Sequence, residues 1–260
     1  MFLVSSCIEI ENNCLTKEMI DKDKPIKGCV SLKKDMKGLH IGDYIPRIGM
    51  FGSVKTEGRD VIPSPYTTGL LDKFLDGSFT PAFETSRGCP FLCTFCDQAG
   101  TGASNRSPQK TIDEIRHVVK DFGVKEISFW DDTMSYNKKW MKEFCEKLID
   151  AQLGVIWSCY AAVNTVNQEI LNLMKQAGCW NIFYGFETGV TELLRNIDGH
   201  KKNKSFEKMK EVTKWTKDAG IEIRGSFMVG LPGETPELAE ETIKKAIELD
   251  PDYAQFSITT

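Results

Sequence analysis

The sequence lacks any apolar run approaching the roughly 20 residues that a membrane-spanning helix needs. It has no basic excess either: 33 Lys and Arg stand against 37 Asp and Glu, a net charge of −4. That balance argues against a nucleic-acid partner, which selects for a basic face. The N-terminus, "MFLVSSCIEIENN", turns polar after four apolar residues and has no basic stretch before them, so it does not read as a signal peptide. A cytoplasmic protein is the default expectation. Internal repeats of fixed period are absent. Histidines are few, three in all, and there is no second Cys-x2-Cys pair.

What is present is an ordinary globular composition. The 260 residues are 41% hydrophobic and 27% charged, enough for one large or two small domains with a sizeable core. Residues 1–61 read as an irregular N-terminal segment or linker. Lys and Asp cluster in "TKEMIDKDKPIKG" and "SLKKDMKG", no long helical period appears, and "LHIGDYI" and "IPRIGMFGSV" are candidate short strands. "DVIPSPYTTG" is a turn-rich entry to the next unit.

From residue 80 the pattern becomes regular. Strands are expected at "PAFETSRG", "VKEISFW", "VIWSCYAAV", "CWNIFYGFETG", "IEIRGSFMVG" and "DYAQFSITT". Between them lie five helical stretches, such as "SPQKTIDEIRHVVKDFG", with Ile112, Ile115, Val118 and Val119 at helical spacing and Gly123 as a stop. Strict alternation makes this an α/β chain with parallel strands and crossover helices. An open doubly wound sheet and a partial or full barrel both fit. In either, a ligand site belongs at the carboxyl ends of the strands.

"RGCPFLCTFC", just after the first of these strands, sets Cys89, Cys93 and Cys96 at Cys-x3-Cys-x2-Cys. The spacing could be one face of a buried helix, but Gly88 and Pro90 would break a helix there. A loop presenting thiolates to a soft metal centre is the better reading. Structural zinc and closed iron–sulfur clusters want four protein ligands. His117 and His200 fit surface positions better than ligand positions. Three thiolates on a four-iron cluster would leave one iron open for an external ligand. The other six cysteines are scattered and read as small buried hydrophobes.

These residues resemble the radical S-adenosylmethionine (SAM) enzyme superfamily, from about Ile62 to Thr260. "IPSPYTTGLLDKF", "ETSRGCPFLCTFC", "GFETG" and "SFMVGLPGET" are most similar to the subgroup whose members often carry a cobalamin-binding domain upstream. The resemblance implies a partial (β/α)6 TIM-like barrel over residues 62–260, truncated after "FSITT". It implies a 4Fe–4S cluster on Cys89, Cys93 and Cys96, with SAM on the open iron. Reductive cleavage of SAM would give a 5′-deoxyadenosyl radical that abstracts hydrogen from a substrate, or would support cobalamin-dependent methyl transfer. An electron donor such as flavodoxin or ferredoxin and a small-molecule substrate are the implied partners. Cobalamin would need a domain outside this chain, because the signature Asp-x-His-x-x-Gly fits none of the three histidines.

The resemblance also assigns SAM contacts, each with a bland counterpart. Phe95 would lie near the adenine; otherwise it is a core aromatic. Asp131 and Asp132 should point in opposite directions, and Asp132 is the candidate ligand residue, against a helix-cap or loop role. Glu187 would reach the ribose or methionine part of SAM. Gly185 and Gly189 would let a ligand approach the backbone. Gly230 and Gly233 shape a turn whose amides could bond adenine or ribose, and Glu234 could equally begin the next helix. Ser158, Tyr160 and Asn164 could line the pocket, and Arg224 is an inward cation if its direction allows. Two rivals remain: a non-catalytic iron–sulfur or zinc protein, and a methylthiotransferase-like enzyme.

Overall fold

The computed structural model describes residues 30–35, 38–44, 58–61, 64–69, 71–75, 77–197 and 205–259. The candidate strand at 45–54, "KKNK" at 201–204, His200 and Cys7, Cys14 and Cys29 lie outside them. The chain divides into two compact units, Met1–Thr56 and Glu57–Thr260. In the first, β1 (Val30–Asp35) pairs antiparallel with β2 (Gly38–Tyr44). β2 covers most of the expected "LHIGDYI" strand. β1 carries the charged stretch "SLKKD", which composition alone had read as irregular; its pairing with β2 makes it a strand.

The second unit is built on β3 (Ala82–Phe83), β6 (Glu126–Phe129), β7 (Ile156–Ala161), β8 (Cys179–Glu187), β9 (Glu222–Val229) and β10 (Tyr253–Ile258). All pair in parallel, and their order across the sheet is their order along the chain. A doubly wound sheet must reverse direction at a switch point. This one never does. Crossovers of one hand that always step the same way place every helix on the same face, and the other face becomes the lumen of a barrel. β10 does not pair with β3, so the barrel is partial, as the resemblance implies.

The expected crossover helices are α1 (Pro108–Phe122), α2 (Lys138–Ala151), α3 (Gln168–Gln176), α5 (Phe206–Asp218) and α6 (Pro236–Leu249). Each starts on a side-chain cap. Ser107, Asn137, Asn167, Ser205 and Thr235 accept from the backbone N–H three residues on, satisfying a donor the helix cannot. A sixth helix, α4 (Thr191–Ile197), was not anticipated. Its seven residues are too few to show a period, yet Leu193, Leu194 and Ile197 are buried.

Side-chain alternation divides each strand between core and lumen. Ile127, Phe129, Trp157, Cys159, Ile182, Tyr184, Phe186, Ile223 and Phe227 are buried in the core. Phe129, Phe144 and Trp157 meet edge to face, with centroids 5.5–5.7 Å apart. The opposite face carries Ser128, Ser158, Tyr160, Phe183, Gly185, Arg224 and Ser226, which the strand register sets in layers. Phe129→Ala should cost about 3–5 kcal/mol, because it empties the centre of that aromatic triad. Urea unfolding measures this, and a midpoint equal to wild type would show that the triad does not carry the core.

Candidate active site

The cysteine loop grows out of β4 (Ser86–Arg87), which pairs antiparallel with β5 (Ser104–Asn105) and so closes residues 88–103 into one loop. Gly88 enters it at φ 81°, and a Cβ there would overlap the Gly102 carbonyl oxygen. Only glycine fits that crossing. Inside the loop, Cys89 N–H donates to Thr101 Oγ1 at 3.0 Å, Thr101 Oγ1–H to Gln98 O at 2.8 Å, and Gly100 N–H to Phe91 O at 2.7 Å. Cys96 N–H donates to Cys93 O at 3.2 Å. At the tip, Thr94 N–H donates to Ile197 O at 3.0 Å and its hydroxyl to Asn196 O at 3.2 Å, tying the loop to the end of α4.

The strongest anchor is Asp131, at the carboxyl end of β6. Its buried carboxylate accepts from Thr85 N–H at 3.1 and 3.2 Å, Thr85 Oγ1–H at 2.7 Å and Ser86 Oγ–H at 2.5 Å. Burial pushes its carboxyl up, and the bonds from Ser86 and Thr85 oppose the shift. Asp132 is exposed, as expected for the neighbour of an inward residue. Its charge reaches the Cys96 thiol, which burial pushes up, with Asp97, Cys89 and Asp132 adding to the rise. Asp131, read from the sequence only as one of an oppositely facing pair, is thus a positioning residue. Its partners lie 45 and 46 residues away, so no local motif marks it.

The three loop cysteines are in no disulfide and are all half-buried, whereas Cys145, Cys159 and Cys179 are buried in the core. Cys89 Sγ lies 3.8 Å from Thr133 Oγ1. Among the described residues no three Cys, His, Asp or Glu side chains are gathered around a single-ion site. A cubic cluster sets a weaker demand, since each thiolate bonds a different iron. Three half-buried thiols on one anchored loop fit that donor set. The described His117 pairs with Asp121 at 2.5 Å on the surface of α1, as its position suggested.

The other expected site residues fall into three groups. Phe95 is exposed at the loop tip, not in the core. Glu187 ends β8 at φ 66°, in the left-handed region. Its carboxylate folds back over Gly185, where a Cβ would collide with Oε1. What approaches Gly185 is thus the flexible end of the Glu187 side chain itself. Gly189 answers to packing instead: a Cβ there would strike Lys245 and Phe206.

Gly230 and Gly233 have φ 85° and 84° and shape the turn after β9. The Gly230 and Leu231 amides both donate to Glu234 Oε2, the second at 3.3 Å. Glu234 clamps the turn, and α6 begins after it with Thr235 as cap. Asn196 Nδ2–H donates to Pro232 O at 3.3 Å, so the end of α4 joins this turn to the cysteine loop. Ser158 bonds Ser128 Oγ at 3.3 Å, and the Tyr160 ring lies 4.9 Å from Phe183. Arg224 shares their layer, with its guanidinium 5.9 Å from the Tyr253 ring. Asn164 is half-buried beyond β7.

The thiol-bearing loop lies at the carboxyl end of a partial parallel barrel, where such a fold places its ligand site. The chain matches the Radical SAM superfamily over residues 83–246, more than half its length, and belongs to that superfamily. It is 32% identical to an uncharacterized methyltransferase of Pyrococcus horikoshii, covering 99% of this chain and 56% of that protein. It is 34% identical to the anaerobic magnesium-protoporphyrin IX monomethyl ester cyclase of Rubrivivax gelatinosus, covering 67% of this chain and 32% of the cyclase. The chain therefore spans only part of each relative. Among solved structures, the radical SAM methyltransferase TsrM of Kitasatospora setae, with tryptophan substrate and a SAM analogue bound, shares the fold at a TM-score of 0.70 and 19% identity. That match covers 90% of this chain and 46% of TsrM.

Asp131→Ala should strand the Thr85 and Ser86 donors, costing about 1–3 kcal/mol for a buried group left unpaired. Iron uptake should fall although all three cysteines remain. Denaturant midpoints and iron content measure the two effects, and wild-type values for both would show that the clamp is dispensable.

Proposed function

We propose that this chain is the catalytic core of a radical SAM enzyme acting on a small molecule, with Cys89, Cys93 and Cys96 as the ligands of a 4Fe–4S cluster. The observation that carries this reading is the contrast between three half-buried thiols on one anchored loop and three buried in the core. When bound, such a cluster supplies an open iron that chelates SAM and the single electron that breaks its sulfonium carbon–sulfur bond.

The chain's own residues would hold and orient SAM. Phe95 offers an exposed ring beside the last cysteine. Asp132 stands at the same end of the barrel and suits the SAM amino group. Glu187 brings a carboxylate over Gly185 on the lumen face, where it suits the ribose or the amino acid part. Gly230 and Gly233 set the turn that borders the site, and it offers shape and carbonyl oxygens, because its first two amides are taken by Glu234. The core so defined runs from about residue 62 to 260.

Methyl transfer is the reaction this reading favours, since the Pyrococcus relative aligned over nearly the whole chain is a methyltransferase by name. Cobalamin, where the reaction uses it, would be held outside this sequence. A flavodoxin or ferredoxin is the fitting electron source, and the cytoplasm is the fitting location. Among the described residues no helix is long and apolar enough to cross a membrane.

Anaerobic reconstitution with iron and sulfide should load about one four-iron cluster per chain. Reduction with SAM present should yield 5′-deoxyadenosine, or S-adenosylhomocysteine where SAM donates its methyl group. Alanine at Cys89, Cys93 or Cys96 should each abolish cluster loading without unfolding the chain. Zinc in place of iron, or a loaded cluster whose spectrum ignores SAM, would overturn the reading. Glu187→Gln should weaken SAM binding about tenfold or more, the scale of a lost charge-assisted hydrogen bond. Glu187→Gly relieves the left-handed backbone yet removes the same carboxylate. SAM affinity that survives both changes would remove Glu187 from the site.

A further inference from the structure

A cavity of about 300 Å³ opens beside β3, between Arg59, residues 64–66 and the start of α1. Its size is at the lower end for small-molecule sites. Three guanidinium groups line it, those of Arg59, Arg87 and Arg106. Two carboxylates answer them. Glu84 pairs with Arg87 at 2.9 Å, and Glu114 pairs with Arg106 at 2.5 Å. Among the lining residues three cations thus face two anions, and one guanidinium is left without a paired carboxylate.

That guanidinium belongs to Arg59. It is half-buried, and no carboxylate pairs with it among the described residues. Burial first, and then Arg87, push its guanidinium below the ordinary range, while Glu84 and Asp131 attract it from further off. A half-buried cation beside like charges is unfavourable until an anion joins it. The position is also fixed. Arg59 lies in a 3-10 turn, residues 58–61, in which Asp60 Oδ1 accepts from Ser107 N–H at 2.7 Å and Asp60 O accepts from Lys110 Nζ. The cap of α1 thus holds the turn.

The remaining wall is flat and apolar. Tyr66 stacks on Phe83 with centroids 4.6 Å apart and planes at 9°. Trp130 is 62% exposed, and its indole N–H is already donated to Ser128 Oγ at 3.0 Å, which leaves the ring itself to offer. An oxyanion for the guanidinium groups and a planar body for the indole match this lining.

We propose that this cavity binds a small organic anion, its carboxylate or phosphoryl group held by Arg59 and Arg87 and its flat apolar body laid against Trp130. Binding needs neither the cluster nor SAM, so its failure and that of the function above are distinguishable. Calorimetry on the intact 260-residue chain would use phenyl phosphate, benzoate, inorganic phosphate and neutral benzyl alcohol. Phenyl phosphate or benzoate should bind saturably, and whichever is tighter separates phosphoryl from carboxylate chemistry. Benzyl alcohol should bind about tenfold more weakly or worse. Arg59→Gln should weaken the preferred anion about tenfold, and Trp130→Ala should weaken phenyl phosphate but not inorganic phosphate. Where Arg59→Gln fails to fold, Arg87→Gln and added salt read the same charge dependence, since Arg87 lies on the exposed rim. Equal affinity for benzyl alcohol, an anion affinity untouched by the arginine changes in a folded chain, or no saturable binding of either aromatic anion would each overturn the proposal.

Discussion

The active end of this molecule depends on one carboxylate. Asp131 stands just beyond the end of β6, a strand paired on both sides in the sheet, and takes its hydrogen bonds from Thr85 and Ser86, the residues that lead into the cysteine loop. A buried carboxylate must be satisfied, and here it is satisfied only if the chain leaves β3 along one path. The loop has little apolar burial to shape it: Leu92 and Phe95 are exposed and the three thiols half-exposed. Its form comes instead from polar anchors, Asp131 at the start, Thr101 within, and the end of α4 at the tip. Networks of this kind stand or fall together, so a change at one anchor should be felt at the others.

The order of the strands sets what those anchors can reach. Because each strand steps past the last in one direction, all the helices cover one face, and the lumen is left with polar and half-buried side chains. The carboxyl ends of the strands then converge on one rim. The cysteine loop, Glu187 at the end of β8 and the Gly230–Gly233 turn after β9 all belong to that rim. Asn196 physically couples two of them, accepting from Thr94 through its carbonyl and donating to Pro232 through its side chain.

Much of this was legible in the sequence, and the reasons for the exceptions are physical. Alternation of apolar strands with helical stretches foretold the parallel sheet and its five long helices, since local periodicity is written within a few residues. Barrel against open sheet was not legible, because strand order is a long-range property. The α4 helix was missed because seven residues show no period. Asp131 and Asp132 could be told apart only as facing opposite ways; which one faced the core depended on hydroxyls some 45 residues away in the chain. Gly189 looked like a ligand-facing glycine but yields to Lys245 and Phe206. A glycine's permissiveness is visible in sequence, whereas what fills the vacated space is not.

The same distinction bears on the glycine-rich turn. Read from sequence, "VGLPGET" offers backbone donors to a ligand. In the folded chain Glu234 takes the Gly230 and Leu231 donors, so the turn keeps its shape without an occupant. A turn satisfied from within contributes form more than charge. On the lumen side Glu187 adds a carboxylate to the Arg224 guanidinium, and it is one of three described non-glycine residues at positive φ; the other two, Gln152 and Asp250, only end helices. A left-handed glutamate at a strand end is costly for a residue with a Cβ, and such outliers persist where the surroundings over-determine them. Here it coincides with the β8–β9 register shift between Gly185 and Glu187. At that place the Glu187 side chain lies back over Gly185.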